Sequence, residues 1–329
     1  MPGTGGSAAG GAAGLLAFGG DGDVFTMRPD GKGRKQLTKV AGGALARDPA
    51  WSADGSKLLY AYSPPLPNVR GPGGLLPLPV TDLYLMNADG SNQKLALEHD
   101  APGAGYETPV WAPDGKSVYV TYTALIVESN IVKDEVVEVA RVPLAGGARE
   151  TLAPNAMTPT ISADGRHLAY ITTQADGLSL VAADGDGKNA KTIVPIGKVD
   201  LVSSPRFSPD GKQISFSAAS PMAPASPVAP VATATPASAG RTSLLQAPVA
   251  HAAALPHGLP MDVFVVDADG SHLRRLTQLG EDSPTTAWSP DGKRIVILAG
   301  GGIYVMNADG SDFQNVDQHG GHSSIDWRR

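Results

Sequence analysis

Residues 323–327, SSIDW, form a short apolar stretch two residues from the end of the chain and read as one β-strand with no hairpin partner after it. Five earlier stretches begin in the same way and then continue. They are DPAWSADGSKLLY from Asp48, TPVWAPDGKSVYV from Thr108, TPTISADGRHLAY from Thr158, SPRFSPDGKQISF from Ser204 and TTAWSPDGKRIVI from Thr285. Aligned, they place Trp51, Trp111, Ile161, Phe207, Trp288 and Trp327 at one repeat position, which accounts for all four tryptophans of the protein.

Each unit has a local physical reading. A strand ends at the aromatic residue. Ser-Pro-Asp-Gly or Ser-Ala-Asp-Gly then turns the chain, with Gly where a positive φ is needed. An alternating strand such as Lys57–Tyr60 follows. Further on, DLYLMNADGSNQKLAL from Asp82, DVFVVDADGSHLRRLT from Asp262 and GIYVMNADGSDFQNV from Gly302 supply two more strands around a second tight turn. The unit is a four-stranded antiparallel sheet, and sheets recurring at roughly 40 residues predict a β-propeller.

The incomplete last unit then has a place. SSIDW becomes the innermost strand of a blade whose other strands are Leu15–Phe18, Asp23–Met27 and Lys35–Thr38, so the two ends of the chain meet in one sheet and leave no open seam. Trp288 and Trp327 are 39 residues apart, and the path from Trp327 through the termini to Trp51, less the first fourteen residues, is again 39. The expected fold class is all-β, a six-bladed β-propeller of four-stranded antiparallel blades. Residues 1–14, rich in Gly, Ala and Ser, are expected to be a flexible tether, and residues 15–329 a single propeller with a Pro/Ala-rich insertion at about 219–260.

Composition narrows the function classes. With 329 residues, 42% hydrophobic, 18% charged and a net charge of −6, the chain is globular and has no basic stripe for nucleic acid. It has no cysteine, which removes disulfides, thiolate metal sites and a cysteine nucleophile. No run approaches the roughly 18 apolar residues of a membrane-spanning helix.

The WSPDG and NADGS units resemble the Pro-Asp WD-like repeats of TolB-type six-bladed propellers, over nearly everything from Leu15 to Trp327. The separate N-terminal α/β domain of TolB is expected to be missing here. The resemblance implies the fold and, as an expectation, an extracytoplasmic location, periplasmic or at the cell surface. The tether resembles the segment that follows the lipidated cysteine of bacterial lipoproteins, so a membrane is expected to be met only through a removed lipid anchor. The same repeats occur in binding proteins, sensor ectodomains, peptidase accessory domains and polysaccharide lyases, which leaves function open.

Three insertions fall between the second and third strands of their blades: Ser63–Thr81, roughly Thr123–Val136, and about 219–260. In a propeller these lie on one face, with the connections that lead into the innermost strands, while the Ser-Pro-Asp-Gly turns lie on the other. Function is therefore expected on the decorated face and at the mouth of its channel. Arg47, Asp48, Tyr106, Glu107, Asp282 and His322 are the candidate ligand-binding residues at that mouth, with Arg206 and Asp326 nearer the channel wall. Mixed charges suit a polar ligand or a peptide terminus. The six repeat positions are read as structural, filling the space between blades.

Catalytic signals are absent from the sequence. There is no Gly-x-Ser-x-Gly elbow, His-Glu-x-x-His pair or phosphate-cradling loop. His319 and His322 lack a third ligand identifiable by spacing, and the Asp184-Gly-Asp-Gly stretch lacks the closing glutamate of a calcium loop, so no metal and no cofactor are expected. The expected function is a monomeric, non-catalytic propeller binding a protein or peptide, or else a glycan. A lyase-like carbohydrate-active enzyme, a metal-dependent enzyme and a purely structural module are the alternatives.

Overall fold

The computed structural model describes residues 14–65, 80–128, 131–219 and 260–328. The tether, most of the Ser63–Thr81 insertion, the 219–260 insertion, His251 and His257 lie outside the described residues.

Six antiparallel sheets follow one another around the molecule. Blade 1 joins Ile325–Trp327 to Leu16–Gly20, Asp23–Met27 and Lys35–Gln36. Its closure is read directly from the register: Leu16 pairs with Trp327, Ala17 with Asp326 and Phe18 with Ile325. The innermost strands of blades 2 to 6 are Leu45–Trp51, Ala104–Trp111, Ala156–Ile161, Asp200–Phe207 and Thr285–Trp288. Every blade has four strands in order from the axis outward, and blade 5 adds Glu281–Asp282 against the start of its third strand.

The turn between the first two strands is built by side chains. In blade 2, Ser52 Oγ donates to Asp54 Oδ1 at 2.6 Å, Asp54 Oδ1 accepts from the Ser56 amide at 3.0 Å, and Gly55 sits at φ 65°. Blades 4, 5 and 6 repeat the serine–aspartate bond through Ser162 and Asp164, Ser208 and Asp210, and Ser289 and Asp291. The Ser52 hydroxyl and the Ser56 amide and hydroxyl hold the Asp54 carboxyl down at about 2. An ionised acceptor therefore fixes the turn, which is why Asp recurs at that place.

The core is divided into six slabs, one between each pair of neighbouring blades. Each repeat residue packs against the preceding blade: Trp51 joins Ala17 and Val24 of blade 1, Trp288 joins Val263 and Val265 of blade 5, and Trp327 joins Val296 and Leu298 of blade 6. Two of the indoles also donate across the gap, Trp111 Nε1 to the Ala50 carbonyl at 3.0 Å and Trp288 Nε1 to the Arg206 carbonyl at 3.2 Å. A flat four-stranded sheet has two apolar faces to bury, and closing the ring covers both.

The second insertion is a paired hairpin. Ser117–Glu128 and Ile131–Pro143 extend the ladder of blade 3 outward, Thr123 pairing with Val137 and Glu128 with Ile131. Alternating β-branched residues on both arms give it the pattern of strands, so the insertion expected between the second and third strands is their continued pairing.

A candidate ligand-binding channel

The innermost strands line the axis, and four of them share a local distortion. Register slips between Arg47 and Ala50, Glu107 and Val110, Met157 and Thr160, and Ser203 and Arg206. At each slip a non-glycine residue adopts positive φ: Asp48 at 54°, Thr108 at 47°, Thr158 at 50° and Ser204 at 52°. A proline follows each of them, and because proline cannot donate to a ladder it marks the bulge. The bulge inverts the side-chain alternation on its far side. Tyr106 therefore packs into the slab between blades 2 and 3, its ring 5.6 Å from that of Tyr122, where burial pushes its hydroxyl above the ordinary value. Glu107 takes the opposite face.

The innermost strands are also edge strands, and neighbouring blades satisfy their free amides. Asp326 Oδ2 accepts from the Trp51 amide at 2.7 Å, Thr160 Oγ1 from Phe207 at 3.3 Å, and Thr121 Oγ1 from Thr158 at 2.8 Å. Asp48 Oδ1 accepts from the Ser324 amide at 3.0 Å and the Ser323 hydroxyl at 3.2 Å. These cross-links cap the inner edges of blades 1, 2, 4 and 5.

At the decorated end, Arg47 donates to Glu107 Oε1 at 2.7 Å and approaches Asp48 Oδ2 at 3.7 Å, joining blades 2 and 3. Arg47 also lines a cavity of about 510 Å³ with Gly19, Leu45, Gly300, His322 and Ser323. Arg47 and His322 thus share this cavity, Asp48 and Glu107 reach it through their contacts with Arg47, and Arg206 and Asp326 line the channel toward its other end. Tyr106 is turned into the blade, and Asp282 is held on the rim of blade 5, where it accepts from the Ser283 hydroxyl at 3.1 Å. His319 Nδ1 contacts Asp317 Oδ1 at 2.9 Å, and among the described residues no three histidine, aspartate or glutamate side chains gather as a metal site.

The opposite end holds a second cavity, of about 240 Å³. All six repeat residues, Trp51, Trp111, Ile161, Phe207, Trp288 and Trp327, line it, together with Ala53, Pro113, Ala163, Pro209 and Pro290 from the short turns. Its charged lining residues are Arg206 and Asp326. Burial lowers the Arg206 pKa and the Asp326 and Asp48 charges oppose that, but a guanidinium stays protonated regardless. Sequence reasoning treated the repeat residues as spacers and did not find this cavity. The available signal was their position one residue after the wall layer formed by Ala50, Val110, Thr160, Arg206, Ala287 and Asp326.

No protein-family model matches the chain, and no curated protein matches it in sequence. Solved structures match its fold. TolB from Acinetobacter baumannii aligns with a TM-score of 0.63 at 16% identity, over 97% of this chain and 67% of that one. The putative TolB from Agrobacterium tumefaciens gives 0.58 at 16% identity, over 96% and 94%. A chain of a nidogen/laminin complex gives 0.62 at 10% identity, over 96% and 99%. Enzymes are also among the similar structures, so likeness of fold does not decide between binding and catalysis. The sheet order, the ring closure and these likenesses together make the chain a TolB-like six-bladed β-propeller in fold.

Proposed function

We propose that the chain is a non-catalytic binding propeller that recognises a protein or peptide partner on its decorated face. The observation that carries this reading is the blade 3 hairpin. Its tip bears Ile126, Val127 and Ile131 at 42%, 39% and 58% exposure, three of the five large hydrophobic residues that are exposed among those described. It rises on the face that also carries the cavity lined by Arg47 and His322. An apolar anchor on the same face as a polar cavity is an arrangement that protein recognition uses. The TolB and nidogen/laminin likenesses are in keeping with it.

No helix among the described residues is long and apolar enough to cross a membrane. An extracytoplasmic location and a monomeric state belong to the same proposal. The test is selection of displayed peptides on the recombinant protein, followed by affinity measurement against Ile126→Ser/Ile131→Ser. Selected peptides are expected to lose about tenfold or more in affinity to that variant. Failure to enrich any peptide, or enrichment of peptides indifferent to both the hairpin and Arg47→Ala, would remove the reading.

A further inference from the structure

The short-turn end of the channel combines three observations that packing does not require. The first is a guanidinium that makes no close ion pair. Arg206 donates from Nη1 to the Pro205 carbonyl at 3.1 Å and makes no ion pair among the described residues. The carboxylates whose charges it feels are engaged elsewhere. Asp326 accepts from the Trp51 amide at 2.7 Å and the Trp327 amide at 2.9 Å, and Asp48 accepts from Ser323 and Ser324 and faces Arg47. A part-buried guanidinium in this position gives up hydration and is compensated only at a distance, by the charges of Asp326 and Asp48.

The second observation is the wall. Apart from Arg206 and Asp326, the innermost layer holds Ala50, Val110, Thr160 and Ala287, all small or uncharged, and beyond it lie four indoles, Phe207 and Ile161. The third is room. The cavity measures about 240 Å³, and an apolar cavity of about 150 Å³ accommodates benzene. There is space for a ring or branched aliphatic group together with one acidic group.

We propose that this cavity is a binding site for a carboxylate carried on a compact apolar body, entering from the short-turn face, with Arg206 as its anchor. The planar fork of a guanidinium matches a carboxylate through two parallel hydrogen bonds. Asp326 and Asp48 oppose any anion held by this single cation, and they oppose the two charges of a phosphate more than the one of a carboxylate. The same chemistry is offered by a free organic acid and by the C-terminal residue of a peptide ending in an apolar side chain. This site is independent of the decorated face, and either proposal stands if the other falls.

All four tryptophans line the cavity, so intrinsic fluorescence reports its occupancy. The probes are phenylacetate against phenylacetamide, and Gly-Gly-Phe against its C-terminal amide, with isothermal calorimetry as the second readout. Each acid is expected to give a saturable signal and to bind about tenfold or more tightly than its amide, the size expected for hydrogen bonds to a charged group. Arg206→Met is expected to abolish that preference, while Arg166→Met, an exposed arginine in a turn of blade 4, keeps it. Tighter binding of the peptide acid than of phenylacetate identifies a chain terminus as the ligand source, and equal binding identifies a free acid. Absence of saturation with both acids, equal affinity for acid and amide, or an undiminished preference in Arg206→Met overturns the proposal. The acid-against-amide comparison is made on the wild-type protein and does not depend on the variant folding.

Discussion

At the decorated end of the channel Arg47 is held by Glu107 at 2.7 Å with Asp48 close by, whereas at the short-turn end Arg206 has only the Pro205 carbonyl, at 3.1 Å. The same innermost strands run through both ends. The difference lies in what each end asks of its residues. At the mouth, charges cross-link neighbouring blades and share their hydration with solvent. At the other end, the repeat residues are called on twice, once to wedge between blades and once to wall a cavity. Stability should therefore be concentrated at the short-turn end and be slight at the mouth.

The largest test of that asymmetry is Trp288→Ala. Trp288 is 6% exposed, packs on Val263, Val265 and Ile295, and bonds the Arg206 carbonyl through its indole. Removing a buried aromatic of this kind costs about 3–5 kcal/mol. Urea denaturation is expected to show a loss in that range, with an unchanged slope if the ring still unfolds as one unit. A loss below about 1 kcal/mol would mean that the aromatic ring does not hold the blades together.

The ring and its closure were legible in the sequence because turn chemistry is local. Asp54 and Gly55 specify a tight turn wherever they stand, and repeating that turn at a fixed offset from an aromatic specifies the blade. The blade 3 hairpin was less legible, since Ser129-Asn130 is the only turn signal between its strand-like arms and lacks the Asp-Gly of the other turns. The axial cavity was not legible at all. Whether six wedge residues close the axis or leave about 240 Å³ depends on ring diameter and rotamers, which a one-dimensional pattern does not encode. Tyr106 shows a subtler limit. Counting back in twos from the wall residue Val110 puts Tyr106 at the channel, but the bulge at Thr108-Pro109 reverses the count and substitutes Glu107. The proline inside the strand was the sign of that reversal.

The bulges separate the two ends, and they provide the next test in size. Thr158 and Asp48 have nearly the same φ, 50° and 54°, but different obligations. Thr158 Oγ1 is buried without a partner, while its backbone amide donates to Thr121 Oγ1. Thr158→Gly should relieve the left-handed strain of a β-branched residue and remove the orphaned hydroxyl, raising stability by about 0.5–1 kcal/mol after the entropy cost of glycine. Asp48→Gly relieves less strain, because aspartate tolerates the left-handed region, and removes the acceptor for Ser323 and Ser324, so it is expected to lower stability. Opposite signs in thermal unfolding support this view of the bulges. Equal signs would mean that backbone conformation alone governs the site.

The smallest effect is expected at the mouth. The side chains of Arg47 and Glu107 are 28% and 35% exposed, so their 2.7 Å contact lies in a high effective dielectric and exacts side-chain entropy from both partners. A double-mutant cycle of Arg47→Ala and Glu107→Ala should give a coupling of about 0.5 kcal/mol, shrinking as salt is raised toward about 1 M. A pair this weak yields its partners readily, because a ligand that replaces Glu107 on Arg47 gives up little in breaking the contact. A coupling above about 2 kcal/mol would place the pair among structural elements of the ring, and the mouth would then be as rigidly built as the aromatic end.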